Sequence, residues 1–441
     1  MTASRRRLLV LAPAFPPHPT PAAHRARFIA RHAPSFGWDV RVISVDPAYY
    51  AETPDFELLS LLPAGLDVRR VRALPVALAR TLGFGDLSLR SLPFLMRAVR
   101  EACRSWRPDM TFVSAPPFFT FLAARAAFTE FGVPYVLDYT DPWIYPLPAE
   151  QRSPASRAYW MDRLARLAEP AIARDAAHIL AVSDATHAGL RARQPDLPAA
   201  RFSALPIGFE IEDFAALRDH ARPNTLWDSS DGRIHVLHPG AISPTGHSTV
   251  RALLRGAMLF KERNRDRGEA LQFHFIGTSY APKDPAPIVS PIAAEVGASG
   301  NVHELPARVP YIDALNAMQH ADLVVTLGSA EPHYTASKVY NCIAAQRPVL
   351  AICHAETRSV SAAVEATGAG RVVTYDSTSG AETRIEEIAT ALDVLTQRGA
   401  KGATPESLKA IEPFSARSMT SKVLAIFERM IDGRGVPRSA A

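Results

Sequence analysis

The segment LVVTLGSAEPHYTASKVYNCIAAQRPVLAI brings together the residue types and spacing best suited to chemistry. Its apolar start, LVVTLG, reads as a strand and passes into a loop containing Gly328, Pro332 and His333. Thr335 and Ser337 then stand where a helix N-cap is expected, VYNCIAAQ continues as a helix, and Pro348 opens the next strand. Backbone N–H groups at a helix start on the carboxyl edge of a parallel sheet form an anion site. Lys338 falls in that first turn, where the helix dipole disfavours a cation. The other lysines are Lys261, Lys283, Lys401, Lys409 and Lys422. A bound diphosphate would compensate the charge of Lys338; the plain alternative is an exposed lysine with no partner.

Two further loops follow strands. In HPGAISPTGHS, Gly240 and Gly246 let backbone approach a phosphate, although such a loop can equally be a simple turn. In YVLDYTDPW, Asp138 and Asp141 sit at the end of an apolar run beside Pro142 and Trp143. A carboxylate there can contact and orient an acceptor hydroxyl, or it can cap a helix or pair with a cation. His18 and His24 follow the first strand, and His18, in a proline-rich loop, either faces a ligand or is simply exposed.

The elements that must position these residues alternate regularly. RLLVLAP, DVRVISV, MTFVSAP, YVLDY and HILAVS read as buried strands, and PAAHRARFIARHAPSFG, FTFLAARAAFTEFG and SRAYWMDRLARLAEPAIARDA read as helices between them. Gly37 and Gly132 stand at expected helix stops. A second series runs RIHVLHPG, FHFIG, VHELP, LVVTLG, PVLAI and RVVTY. The expected fold class is therefore α/β, with two Rossmann-like domains, residues 1–208 and 209–412, and a last helix within 413–432 that packs back on the first domain. The polar stretch 209–233 reads as the connection.

Composition agrees with two domains: 441 residues, 47% hydrophobic and 21% charged. Cys103, Cys342 and Cys353 form neither a disulfide framework nor a metal pattern, and a reducing cytoplasm suits them. The apolar run after Arg5, Arg6 and Arg7 is stopped by Pro13, Pro16 and Pro17, so it reads as a first strand rather than a targeting peptide. No run is long enough to span a bilayer. The net charge of +5 is carried mostly by arginine, which suits phosphate contacts or reflects composition alone. Segment 69–107 mixes arginines with Leu, Phe and Pro, and reads as a peripheral contact with the inner membrane face or as a solvated helix face with a loop. No nucleic-acid recognition motif is present.

SKVYNCIAAQRPVLAI resembles the donor motif of the retaining GT-B glycosyltransferases of the family-four type, a serine-lysine pair followed by an aromatic residue, a short helix and a Pro-Val strand. The family's glutamate for the donor ribose is Asn341 here, its earlier glutamate is His333, and Glu331 lies nearby out of register. LLVLAPAFPPHPTPAAHRARF is similar to the family's first strand, Pro-Pro loop and helix, YVLDYTDPW to its Asp-X-X-Asp-Pro-Trp loop, and LPIGFEIEDF to its hinge entry, with Ile207 and Glu210 replacing Asn and Asp. HPGAISPTGHS resembles the first donor loop, offering Ser243, Thr245 and His247 where relatives place a cation, while Gly277 and Arg308 fall where the nucleotide base is flanked.

The resemblance implies two domains facing across a cleft and a glycosyltransferase that moves a sugar from a nucleotide-diphosphate sugar to a glycan, lipid-linked or small-molecule hydroxyl with retention. It implies no cofactor and no metal ion. Under that reading Asp141, Asp138, Lys338 and His18 are the candidate catalytic groups. Gly240, Ser243, Gly246, Gly277, Arg308, Glu331, His333, Thr335, Ser337, Lys338 and Asn341 are the candidate donor contacts. A catalytically impaired GT-B scaffold protein and a nucleotide-sugar epimerase are the alternatives.

Overall fold

A computed structural model describes residues 5–81, 85–148, 151–219, 222–281, 284–329 and 337–433. The chain divides into two compact units, Met1–Ile207 with Ala416–Ala441, and Gly208–Ser415.

The first unit runs β1 (Arg6–Leu11), α1 (Ala22–His32), β2 (Trp38–Val45), β3 (Asp67–Val71), α2 (Val76–Thr81), α3 (Leu87–Ser105), β4 (Met110–Ala115), α4 (Phe121–Phe131), β5 (Tyr135–Tyr139), α5 (Arg157–Asp175), β6 (His178–Ala181), α6 (Asp184–Arg193) and β7 (Phe202–Ala204). The second contains α7 (Ile211–Asp219), β8 (Ile234–Pro239), α8 (His247–Arg263), α9 (Arg265–Ala270), β9 (Leu271–Ile276), α10 (Val289–Glu295) and β10 (Val302–Leu305). It continues through α11 (Tyr311–His320), β11 (Leu323–Leu327), α12 (Val339–Ala344), β12 (Val349–His354), α13 (Arg358–Thr367), β13 (Gly370–Tyr375) and α14 (Ile385–Leu395). A last helix, α15 (Ala416–Ile431), belongs to the first unit.

Both sheets are wholly parallel, in the orders β3-β2-β1-β4-β5-β6-β7 and β10-β9-β8-β11-β12-β13. Each order reverses direction once, beside β1 in the first unit and beside β8 in the second. The loops leaving β1 and β4, and those leaving β8 and β11, therefore diverge at the carboxyl edge, where open α/β sheets receive ligands. Central strands are continuous apolar runs because both faces are covered: Leu8, Leu9, Val10 and Leu11 of β1 have no exposed surface. The helix stops behave as expected, with Gly37 at φ +85° and Gly132 at φ +71°, a region that a side chain would strain.

The last helix completes the first unit's core. Phe427 of α15 packs edge-on to Trp38 of β2 and tilted against Phe112 of β4, both at 6.0 Å, and Met419, Val423 and Leu424 are buried with them.

One local expectation is corrected. Residues 209–233 do not form a loose connection: they fold with the second unit, Phe214 and Leu217 of α7 entering its core and Trp227 stacking on His274 at 4.3 Å. Segment 69–107 engages several of its nine arginines with its own unit. Arg90 is buried and donates to the carbonyls of Leu74 and Tyr49, Arg69 and Arg97 pair with Glu101, and Arg100 forks onto Glu130. These guanidiniums fasten β3 and α3 to their neighbours, while the Arg97 and Arg69 side chains keep 81% and 41% of their surface exposed. Among the described residues no helix is long and apolar enough to cross a membrane.

Candidate functional site

In the second unit the chemistry collects where β8 and β11 end. Gly240, the first residue after β8, has φ +109°, and its N–H donates to the carbonyl of Ile276 at 2.7 Å. That turn brings it under Lys338, whose Nζ would lie 3.1 Å from a Cβ added at Gly240. Lys338 as a whole is half-buried, but its ammonium points inward: it donates to the carbonyl of Pro239 at 3.1 Å and stands 3.5 Å from Nε2 of His238. Nδ1 of His238 faces the Val325 carbonyl at 3.0 Å, so the ring proton belongs on Nδ1 and a lone pair on Nε2 meets the ammonium. Burial, then the neighbouring Lys338 charge, drive the His238 pKa well below its ordinary value and keep the ring neutral. Loss of water likewise lowers Lys338 to about 8. No carboxylate pairs with Lys338 among the described residues. A cation held at a switch point by one carbonyl and one neutral imidazole is a receptor for an anion.

The helix start behaves differently from its sequence reading. Lys338 is itself the N-cap of α12, Ser337 lies in the preceding turn, and no side chain bonds to the cap. With six residues, α12 carries too short a dipole to define an anion site, and what remains there is the lysine. The longer helix at the same edge is α8, which opens at Gly246 with neither a side-chain cap nor an acid in its first turn. A Cβ placed on Gly246 would lie 3.7 Å from the carbonyl oxygen of Gly328, so the loops leaving β8 and β11 meet there. Ser243 and Thr245 share a hydroxyl hydrogen bond of 2.8 Å in the same loop.

The start of α10 shows the opposite arrangement. Glu304 accepts from the N–H groups of Ile288, Val289 and Ser290 and from the hydroxyls of Thr278 and Ser290, all at 2.6–3.0 Å. Burial pushes its pKa up, but these donors outweigh that and hold it below the usual range. That helix start is already filled. Gly277, at φ +67°, packs against the Ala307–Val309 backbone, and Arg308 is exposed beside it. Oδ1 of Asn341 is buried with no hydrogen-bond partner, an open acceptor one turn from Lys338. Glu331, His333 and Thr335 lie outside the described residues.

The first unit assembles a second polar group, at the ends of β4 and β5. Asp138 has no exposed surface; its Oδ2 pairs with Nε of Arg25 at 3.1 Å and accepts from Ser114 at 3.1 Å, while Oδ1 has no partner. Burial raises its pKa to about 6 against the opposing pull of Arg25. Arg25, from α1, also donates to the carbonyls of Leu205 at 2.6 Å and Pro206 at 3.4 Å. Asp138 is thus held inside the fold by a cation and is not presented to an acceptor, which corrects the expectation for that residue. Asp141 is exposed in the loop after β5. His18 is neither exposed nor pointed outward: Nδ1 meets Thr20 at 2.9 Å, Nε2 lies 3.4 Å from Glu52, and the ring packs edge-on to Tyr50 at 4.6 Å. His24 is half-buried, tilted against Phe28 at 5.9 Å.

Sequence reasoning missed His238 and Arg25. The available signals were a histidine inside the buried run RIHVLHPG and an arginine on the inward face of AAHRARF. Among the described residues no group of three or more His, Cys, Asp or Glu could hold a metal ion.

Gly240→Ala probes this geometry directly. The methyl would crowd the ammonium in a backbone region costing about 1–2 kcal/mol, and we expect affinity for inorganic pyrophosphate to fall about ten-fold with the fold intact, measured by calorimetric titration.

Residues 22–208 match the model of the Glycosyl transferase 4-like domain. No curated protein matches the chain. Among solved structures, Anabaena HepE (Alr3699) in complex with UDP and glucose is 15% identical with a TM-score of 0.58, covering 96% of this chain and 99% of that one. A glycosyltransferase from Rickettsia africae is 14% identical with a TM-score of 0.59, covering 97% and 99%. A UDP-forming α,α-trehalose-phosphate synthase from Burkholderia vietnamiensis is 12% identical with a TM-score of 0.60, again covering 97% and 99%. Residues 22–208 thus carry a Glycosyl transferase 4-like domain, and the chain as a whole has the GT-B fold of two Rossmann-like units.

Proposed function

We propose that this protein transfers a hexosyl group from a UDP-sugar to a hydroxyl acceptor with retention of anomeric configuration and without a metal ion. The observation that carries the reading is Lys338: a desolvated ammonium at the switch point of the second sheet, beside Gly240, with a carbonyl and a neutral imidazole for company. A diphosphate oxygen supplies the missing negative charge. As the bond from the anomeric carbon to the diphosphate breaks and the acceptor oxygen bonds to the same face, charge accumulates on the leaving group. Lys338 and the N–H groups opening α8 are positioned to stabilise it. Asn341 Oδ1 accepts from a donor hydroxyl, a role in which the amide is weaker than a carboxylate. Preference for UDP rests on HepE, described with UDP and glucose, and on the UDP-forming synthase. The acceptor is a glycan, lipid-linked glycan or small molecule reached from the cytoplasm, with Asp141 among the acceptor-side groups.

Thermal-shift titration with UDP-, GDP-, dTDP- and ADP-sugars tests this reading, because a ligand that binds the folded state raises Tm by mass action. We expect UDP-glucose or a related UDP-hexose to raise Tm and to release UDP when acceptor is added. A Tm unmoved by any of the four would remove the nucleotide-sugar assignment. A raised Tm without sugar transfer would favour the impaired-scaffold alternative, for which Asn341 in the ribose position is the specific sign.

The lysine also sets a pH dependence. Bound diphosphate must raise its pKa above about 8. UDP binding therefore takes up a proton above that pH, and affinity should fall by up to ten-fold per pH unit as pH rises past it. Calorimetric titrations across that range should show the decline in the wild type and lose it in Lys338→Met.

A further inference from the structure

Helix α5 carries an exposed apolar stripe. Trp160, Leu164 and Leu167 are 56%, 42% and 78% exposed. Spaced i, i+4, i+7, they fall within an arc of about 60° on one side of the helix. The opposite side, with Ala165, Ile172 and Ala173, enters the core of the first unit. An apolar stripe facing water on a helix whose other face is already packed calls for an occupant.

The charges around the stripe indicate which. Arg157, Arg163, Arg166 and Arg174 are exposed on the same helix. Its acids are all turned aside or neutralised: Asp162 pairs with Arg166 at 2.7 Å, Glu169 is buried against Arg193 at 2.8 Å, and Asp175 pairs with Arg125 at 2.7 Å. Arg163 and Arg174 flank the stripe on one side and Arg157 on the other. The Trp160 indole keeps its own donor satisfied on the Pro154 carbonyl at 2.8 Å, so its ring can enter an apolar layer without stranding an N–H. A second copy of this chain meeting the same face about a twofold axis would oppose arginine to arginine. A layer of acyl chains beneath anionic headgroups satisfies stripe and cations together.

We propose that α5 is the face by which this protein lies on an anionic phospholipid bilayer, with Trp160, Leu164 and Leu167 entering the acyl boundary and the flanking arginines meeting the phosphates. This surface lies on α5, outside segment 69–107. The proposal does not depend on the identity of the sugar donor.

Co-sedimentation of the full chain with vesicles tests it. Vesicles of phosphatidylcholine containing about one-third phosphatidylglycerol should bind the protein, pure phosphatidylcholine vesicles should not, and binding should weaken with salt as the Debye length shrinks. The triple variant W160A/L164A/L167A and the charge reversal R163E/R174E should each lower partitioning about ten-fold or more. Both variants alter exposed side chains, and an unchanged Tm and UDP-induced shift would show the fold and donor site intact. Absence of wild-type binding to phosphatidylglycerol vesicles, or undiminished binding by both variants, would overturn the proposal. Concentration-dependent self-association that the charge reversal abolishes would assign the face to a second copy instead.

Discussion

Under the proposed function, replacing Lys338 by methionine is expected to weaken UDP binding by about 30- to 1000-fold, the roughly 2–4 kcal/mol lost when a charge-stabilising group is removed, and to make the ligand-free protein more stable at neutral pH. The two effects share a cause. An ammonium whose pKa falls to about 8 from an ordinary 10.5 is a cost to the folded state, on the order of 2–3 kcal/mol after allowance for its partial exposure. Between those values the unfolded chain binds the extra proton, so wild-type stability from this group rises with pH from about 8 toward 10.5 and is lost as pH falls back through 8. Methionine fills the same space without the charge, and its variant should show no such rise. Urea denaturation at pH 7 and pH 10 measures both. A methionine variant less stable than wild type at pH 7 would mean that Lys338 is a structural tie and not a ligand group held ready.

Arg25→Ala is expected to destabilise the first unit by roughly 3–5 kcal/mol at pH 8, because it leaves Asp138 ionised and unpaired inside the fold. It also removes the donors to the Leu205 and Pro206 carbonyls. The loss should be smaller at pH 5. Asp138 titrates near 6 in the folded protein against an ordinary 3.8, so stability from this carboxyl is fully present below 3.8 and lost as pH rises through 6; removing Arg25 raises its pKa further. The double variant R25M/D138L should recover to within about 1–2 kcal/mol of wild type. Equal losses for Arg25→Ala at pH 5 and pH 8 would show that the carbonyl contacts, not the ion pair, carry the effect.

The central strands were legible because double burial leaves a mark that no turn or exposed helix makes, as in LLVL of β1 or LVVTL of β11. The missed strands, β3 and β7, are both edges. An edge strand faces water on one side, so DVRRV keeps two arginines and FSA almost no apolar signal. Helix α3 was obscured by Pro93 inside it and by arginines that look solvated in sequence but are spent on carbonyls and carboxylates. At the site, the type and approximate place of Lys338 were readable, whereas its inward direction was not. That direction depends on His238 of β8 and on Gly240 just after it, at φ +109°, about 100 residues earlier in the chain. Asp138 was legible as a carboxylate ending a strand, but not as the partner of Arg25, since nothing in linear spacing relates α1 to β5.

Because α15 seals the core around Trp38 and Phe112, the first half of the chain leaves the ribosome with that apolar face uncovered. At translation rates of about 5–20 residues per second, the wait for residue 416 lasts roughly 10–40 s. The region made second holds all its own strands and is free to fold before the region made first is finished. Synthesis from the amino end and completion of structure thus run in opposite order.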